Sequence, residues 1–271
     1  MRLNKQCVVV IPIHKEIPTK SEIISFNQCF KIIKNNPIIL IIPKGLSLNK
    51  YNSKEKKFDV IEINPKWQSS IQMYNKLKLS DFFYNLFIEY EYLLTYELDA
   101  FIFKDEIEYW CNKNIDYIGA PWFKGYINPN EKEIIGVGNS GFSLRKILSM
   151  KNALKSIEFK ESEHIEISKR RKGINHLKKP INYFLKLFSN YNSIQNSVHF
   201  NEDWFISVII PKYIKDFKIA SIEDAIKFSF EVNPRLLYEM NNQSLPMGCH
   251  AWEKYDFEFW KTEINKFGHN I

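Results

Sequence analysis

The sequence predicts an open, mainly parallel α/β sheet, and three observations carry that prediction. Val8 to Ile13 and Ile38 to Ile42 are unbroken apolar, β-branched runs, the pattern of strands buried on both faces. Strand-like and helix-like signals alternate through the first hundred residues. At 271 residues, the chain can bury a sizeable core without disulfide support. In such a sheet, ligands bind at the carboxyl ends of the strands.

Val8 to Ile13 opens the alternation, and Ser21 heads a segment in which Ile23, Phe26, Phe30 and Ile33 recur at helical spacing. Pro37 and Pro43 bracket a second buried strand, and Phe58 to Ile63 makes a short third. A long helical stretch begins at Ser69, with Ile71, Tyr74 and Leu77 on one side and Phe82, Phe83 and Leu86 continuing the apolar face. Tyr92 to Tyr96 is the fourth strand. After residue 100 the rhythm changes. Asp105 to Asn112 reads as a short helix, and Tyr117 to Trp122 as an extended piece ending in a turn. Gly136 to Arg145 reads as a glycine-containing strand entering a helix near Lys146. No internal repeat interrupts this order, and a single domain over 1–271 with an insertion at about 151–200 is expected.

The formal charge of +7 is concentrated in that insertion, where ten Lys or Arg stand against four Glu. A local excess argues against a nucleic-acid surface covering the domain. Within it, Ile181, Phe184, Leu185 and Phe188 share one helical face among lysines. Two readings stay open: a solvated insertion packing one face on its own domain, and a helix that contacts an anionic membrane or a partner. No apolar run approaches the roughly 20 residues needed to span a bilayer. His14, Lys15 and Glu16 follow the first apolar run where a signal peptide would place small residues, so a cytoplasmic location is expected. Cys7, Cys29, Cys111 and Cys249 are too scattered for a CxxC site and are expected to be buried thiols.

Four constellations could carry chemistry. Glu97 and Asp99 sit two apart where a buried strand runs out, so both carboxylates can face one Mg2+ or Mn2+. Two solvated loop acids would read the same. His250, among apolar residues late in the chain, is either a core histidine or a third ligand that leaves room for phosphate oxygens and water. In Asn201-Glu202-Asp203-Trp204, Asn201 suits an N-cap and the two acids suit a first helical turn. The functional alternative makes Glu202 or Asp203 a general base for an attacking hydroxyl. The glycines of 136–141, Gly141 included, permit either close backbone approach to a ligand or an ordinary tight turn. The spacings of the common phosphate-cradling glycine loops are missing.

Taken together, CVVVIPIHKE (7–16), YELDAFIF (96–103), DYIGAPWF (116–123), NSGFSLRK (139–146), NEDWF (201–205) and LPMGCHAWEKYD (245–256) resemble a bacterial domain-of-unknown-function family described as glycosyltransferase-like. The likeness spans nearly the whole chain outside the basic insertion. It implies a GT-A fold, a nucleotide-sugar donor and a divalent ion held by DxD-like acids. Two positions depart from the pattern: Glu97 stands where a DxD motif has Asp, and Ser140 where the family has a second glycine.

On that resemblance, Asp99 and His250 hold Mn2+ or Mg2+ against the donor diphosphate, with Glu97 in direct contact or one layer out. The nucleotide lies between the loop Pro12, Ile13 and His14 and the helix carrying Tyr74, Asn75 and Lys78. Asp203, or Glu202 in its place, takes the proton of an acceptor hydroxyl with inversion. The implied acceptor is a bacterial surface glycan, glycolipid or glycoprotein, with the insertion at the inner face of the membrane. The rival readings are a catalytically silent carbohydrate- or nucleotide-binding module of the same fold and a nucleotidyltransferase.

Overall fold

In the computed structural model, which describes residues 5–51, 56–128, 130–157, 194 and 201–271, the parallel half of the central sheet is formed by four strands. These are β1 (Lys5–Pro12), β2 (Ile38–Pro43), β3 (Asp59–Ile63) and β4 (Tyr90–Tyr96). They fall where the sequence predicts strands and lie in the order β3-β2-β1-β4. Cys7, Val9 and Ile11 of β1 enter one core cluster, while Val8 and Val10 enter the other. Both faces are therefore covered, which is why the run does not alternate with polar residues. The chain builds outward from β1 to β3 and then returns to the other side of β1 with β4. That reversal opens a crevice above the carboxyl ends of β1 and β4.

The helical expectations need two corrections. The first helix, α1 (Lys20–Ile32), is capped by Thr19, which accepts from the Glu22 amide while the Glu22 side chain accepts from the Thr19 amide. The stretch from Ser69 is broken into α2 (Ile71–Lys78) and α3 (Asp81–Asn85). Ser80 breaks it, because its hydroxyl oxygen accepts from the Phe83 amide and starts a new helix.

Beyond α4 (Ile107–Asn112) the single extended piece expected at 117–122 is two strands, β6 (Tyr117–Ile118) and β7 (Ala120–Phe123). The expected strand at 136–145 is likewise two, β8 (Ile134–Gly138) and β9 (Phe142–Lys146). β9 joins the central sheet antiparallel to β4, and β6 pairs with β9, whereas β7 and β8 pair with each other. The turn 139–141 between sheets thus becomes a structural corner. A third sheet of β10 (Ser229–Phe230), β11 (Gly248–Cys249) and β5 (Phe101–Ile102) completes the architecture. The helix α5 (Ile147–Ser156) follows β9 as predicted. The amphipathic segment 181–188, with most of the basic insertion, lies outside the described residues. All four cysteines are buried and free. Among the described residues no helix is long and apolar enough to cross a membrane.

Candidate active site

Strand register alone brings three distant segments together. Tyr96 pairs with Phe142 antiparallel, so Glu97 leaves β4 beside the 139–141 corner, and its amide donates to the Gly141 carbonyl at 2.7 Å. Cys249 pairs with Phe101, and the Trp252 amide donates to the Asp99 carbonyl at 3.4 Å, which brings His250 against Asp99. Phe230 pairs with Cys249, so Glu231 lies next to His250.

The result is a cluster of Glu97, Asp99 and His250 whose donor atoms all lie within 4.8 Å of one another. His250 Nε2 stands 3.1 Å from Asp99 Oδ1 and 4.0 Å from Glu97 Oε2. It is buried with no hydrogen-bond partner of good geometry. Donors sharing one ion about 2.1 Å away are at most about 4.2 Å apart. The 3.1 and 4.0 Å separations from Nε2 lie within that reach, and two hard oxygens with one imidazole are a donor set suited to Mg2+ or Mn2+. Burial pulls the His250 pKa down, but the carboxylates of Asp99 and Glu231 outweigh it and raise the ring well above its usual value. Gly141 lies beneath the ring: a Cβ there would come within 2.2 Å of His250 Cδ2 and Nε2.

Glu97 divides its two oxygens. Oε1 accepts from Lys78 Nζ at 3.0 Å and from Ser140 Oγ at 3.3 Å, which leaves Oε2 toward the histidine. Lys78 is wholly buried. It also donates to Ser140, lies 3.9 Å from the centre of the Tyr74 ring, and is 3.1 Å from Glu202 Oε1.

Next to the acids, a cleft of about 440 Å3 is lined by Pro12 at the end of β1 and His14 just beyond it, by Gln68, Ser69, Ser70, Ile71 and Tyr74, and by Glu97, Leu98 and Asp99. Glu22 and Tyr51 complete the wall, and none of its lining residues is Lys or Arg. Three of the residues expected here sit below the surface. Ile13 is packed in the core, Lys78 is sealed in its ion pairs, and Asn75 is buried and donates to Asn201 Oδ1.

The structure corrects two expectations at Asn201-Glu202-Asp203. Asn201 precedes the helical turn α6 (Glu202–Trp204) in cap position, but its side chain makes no cap bond. Glu202 is fully buried, 2.7 Å from Arg145 Nη2 as well as bonded to Lys78. Burial would raise its pKa, yet these two cations bring it down to about 2. A carboxylate so committed is a structural anion and a poor proton acceptor. Asp203 is its opposite: burial and the charges of Glu202 and Glu231 push its carboxyl up to about 7.

Sequence reasoning missed Arg145, Glu231 and the clamp at Asn139. Asn139 Oδ1 accepts from the Gly141 and Phe142 amides at 2.7 and 2.9 Å, and so fixes the corner under His250. A signal existed for two of them. Arg145 and Glu231 are charges set among apolar neighbours, in FSLRK and SFEV, where a charge is kept only with a partner.

A family model described as Protein of unknown function (DUF5672) matches residues 57–250. No curated protein matches the chain. The solved structure of mouse xyloside xylosyltransferase 1, apo form, is similar over 91% of this chain and 96% of its own, at 9% identity and a TM-score of 0.51. That likeness and the sheet order identify the fold as the GT-A type. The galactosyltransferase LgtC, in complex with donor and acceptor sugar analogues, aligns over 90% of this chain and 86% of its own, with 12% identity and a TM-score of 0.45. The glycosyltransferase GlyE of Streptococcus pneumoniae TIGR4 covers 98% of this chain and 63% of its own, with 11% identity and a TM-score of 0.43.

Proposed function

The chain belongs to the family described as Protein of unknown function (DUF5672), and we propose that it is a metal-dependent glycosyltransferase that moves a sugar from a nucleotide-sugar donor to a hydroxyl of a bacterial surface glycan, glycolipid or glycoprotein. The single observation that carries this reading is the placement of the cluster. A set of donors fit for Mg2+ or Mn2+ opens onto a cleft whose walls hold three acids and neither Lys nor Arg. A diphosphate entering that cleft meets net repulsion unless a cation stands between it and Glu97 and Asp99.

Asp99 and His250 would hold the ion, with Glu97 contributing Oε2 while its other oxygen stays on Lys78. When bound, the ion supplies charge stabilisation for the departing diphosphate. The chain's own residues do the rest. Pro12, His14 and Tyr74 wall the nucleotide cleft, and Lys78 holds Glu97 in place from below. Asp203 takes the proton of the attacking hydroxyl: with a pKa near 7 it is a far stronger base than an ordinary carboxylate and is still half ionised at neutral pH. Direct attack assisted by that base gives inversion at the sugar carbon. The basic segment 151–200 would hold an anionic acceptor at the inner face of the membrane.

Calorimetry with a panel of nucleoside diphosphates tests the reading. Binding should require Mn2+ or Mg2+, vanish with EDTA, and be lost in Asp99→Asn. Equal affinity with and without metal removes the proposed site. Metal-dependent donor binding with no transfer to any acceptor and no donor hydrolysis leaves a binding module in its place.

A further inference from the structure

We propose that Glu231 is a positioning residue that sets the tautomer of His250 and so makes its Nε2 available to a metal ion, an inference that rests on the metal-binding reading above. The two residues meet because β10 and β11 are parallel neighbours, and the His250 amide donates to the Phe230 carbonyl at 3.0 Å. Glu231 Oε1 lies 2.9 Å from His250 Nδ1. A second group contacts the same nitrogen, since Asn139 Nδ2 is 3.1 Å away. The orientation of that amide is fixed, because its oxygen is already spent on the Gly141 and Phe142 amides. Asn139 therefore presents only a donor to the ring.

These two neighbours demand opposite things of a neutral imidazole. Asn139 alone would place the lone pair on Nδ1 and the proton on Nε2, where the ring could only donate toward Asp99 and could not ligate. Asp99, 3.1 Å from Nε2, competes for the ring proton until an ion pairs with it. With that competition removed, the Glu231 carboxylate accepts and carries a charge, so it outweighs the amide and keeps the proton on Nδ1. The lone pair is then left on Nε2, which is buried without a well-aligned hydrogen bond and faces Asp99 Oδ1 at 3.1 Å and Glu97 Oε2 at 4.0 Å. Gly141 beneath the ring leaves room for this orientation. Glu231 touches neither the proposed ion nor the cleft wall, so it acts through His250.

The test titrates Mn2+ alone into the full chain, followed by electron paramagnetic resonance, in wild type, Glu231→Ala, Glu231→Gln and Asp99→Asn. Glu231→Ala should bind Mn2+ about 10- to 100-fold more weakly, the usual effect of losing the carboxylate behind a ligating histidine, and Glu231→Gln, which keeps an acceptor oxygen, should recover most of that loss. Nitrogen-15 NMR of the histidine side chains, at a Mg2+ concentration that just saturates wild type, should find the wild-type proton on Nδ1 of His250 and, in Glu231→Ala, whose weakened site is then largely empty, a proton on Nε2. Wild-type affinity in Glu231→Ala alongside lost binding in Asp99→Asn overturns this proposal and leaves the metal site standing. A wild-type proton on Nε2 overturns it without recourse to any variant. A wild-type chain that binds no Mn2+ overturns the metal site and this inference together.

Discussion

Single atoms decide whether this site can work, and Gly141 shows it most directly. Its missing Cβ is the space the His250 ring occupies, so Gly141→Ala must displace the ring. The expected outcome is loss of Mn2+ binding with an unchanged far-ultraviolet circular dichroism spectrum, because residue 141 lies in a turn and not within a strand. Asp203 gives a second prediction. Its carboxyl titrates near 7 when folded and near about 3.9 when unfolded, so the folded chain holds that proton more tightly. Its contribution to stability is present below about pH 4 and is lost as pH rises through 7. Thermal melts should therefore show wild type losing ground to Asp203→Asn across that interval. In catalysis the sign reverses, since the base must be ionised. kcat/KM should rise through pH 7 in wild type, while Asp203→Asn loses that limb and turns over roughly 10²-fold more slowly with donor affinity kept.

At the scale of elements, the break between α2 and α3 matters more than either helix. The helix α2 carries Tyr74 to the cleft and Lys78 to Glu97, and its length is set by Ser80, whose hydroxyl both donates to the Leu77 carbonyl and accepts from the Phe83 amide. Ser80 is buried, so water cannot replace it. Ser80→Ala should cost about 0.5–2 kcal/mol, the usual range for a lost N-cap, read as a lower urea midpoint at unchanged slope. If α2 shifts as a result, metal-dependent nucleotide binding should weaken in the same variant.

Across the whole molecule, one buried anion links three elements. Glu202 on the turn α6 meets Lys78 from α2 and Arg145 from β9, and all three side chains are shut off from water. Arg145 is further held by Ser143 Oγ at 3.1 Å and the Tyr84 hydroxyl at 3.4 Å. Without Glu202, Lys78 keeps Glu97, but Arg145 is left with neutral partners alone in a medium of low polarity. Glu202→Gln is thus expected to destabilise the fold by about 3–5 kcal/mol in chemical denaturation. Its loss of activity should follow the unfolded fraction, unlike that of Asp203→Asn. Burial of this network against the carboxyl end of β4 makes the integrity of the site a property of the packed sheet.

The strands β1 and β2 were legible because a strand covered on both faces must be apolar throughout, as Val8 to Ile13 and Ile38 to Ile42 are; β3, at the edge and largely exposed, was legible only from its β-branched residues. Glu97 and Asp99 were legible for a related reason: charges at the end of such a run mark where the strand leaves the core. The split of Gly136 to Arg145 into β8 and β9 was not, since strands of two sheets joined by a three-residue corner carry one continuous strand-like pattern. Nor could the chain alone tell Glu202 from Asp203. The two are neighbours of the same type, and only packing gives the first two cations and leaves the second raised by burial and by the charges of Glu202 and Glu231. Sequence determines which residues must be buried and which carry charge, because those are properties of side chains. Which charges meet is set by strand register, and register is fixed only when separate segments compete for the same core.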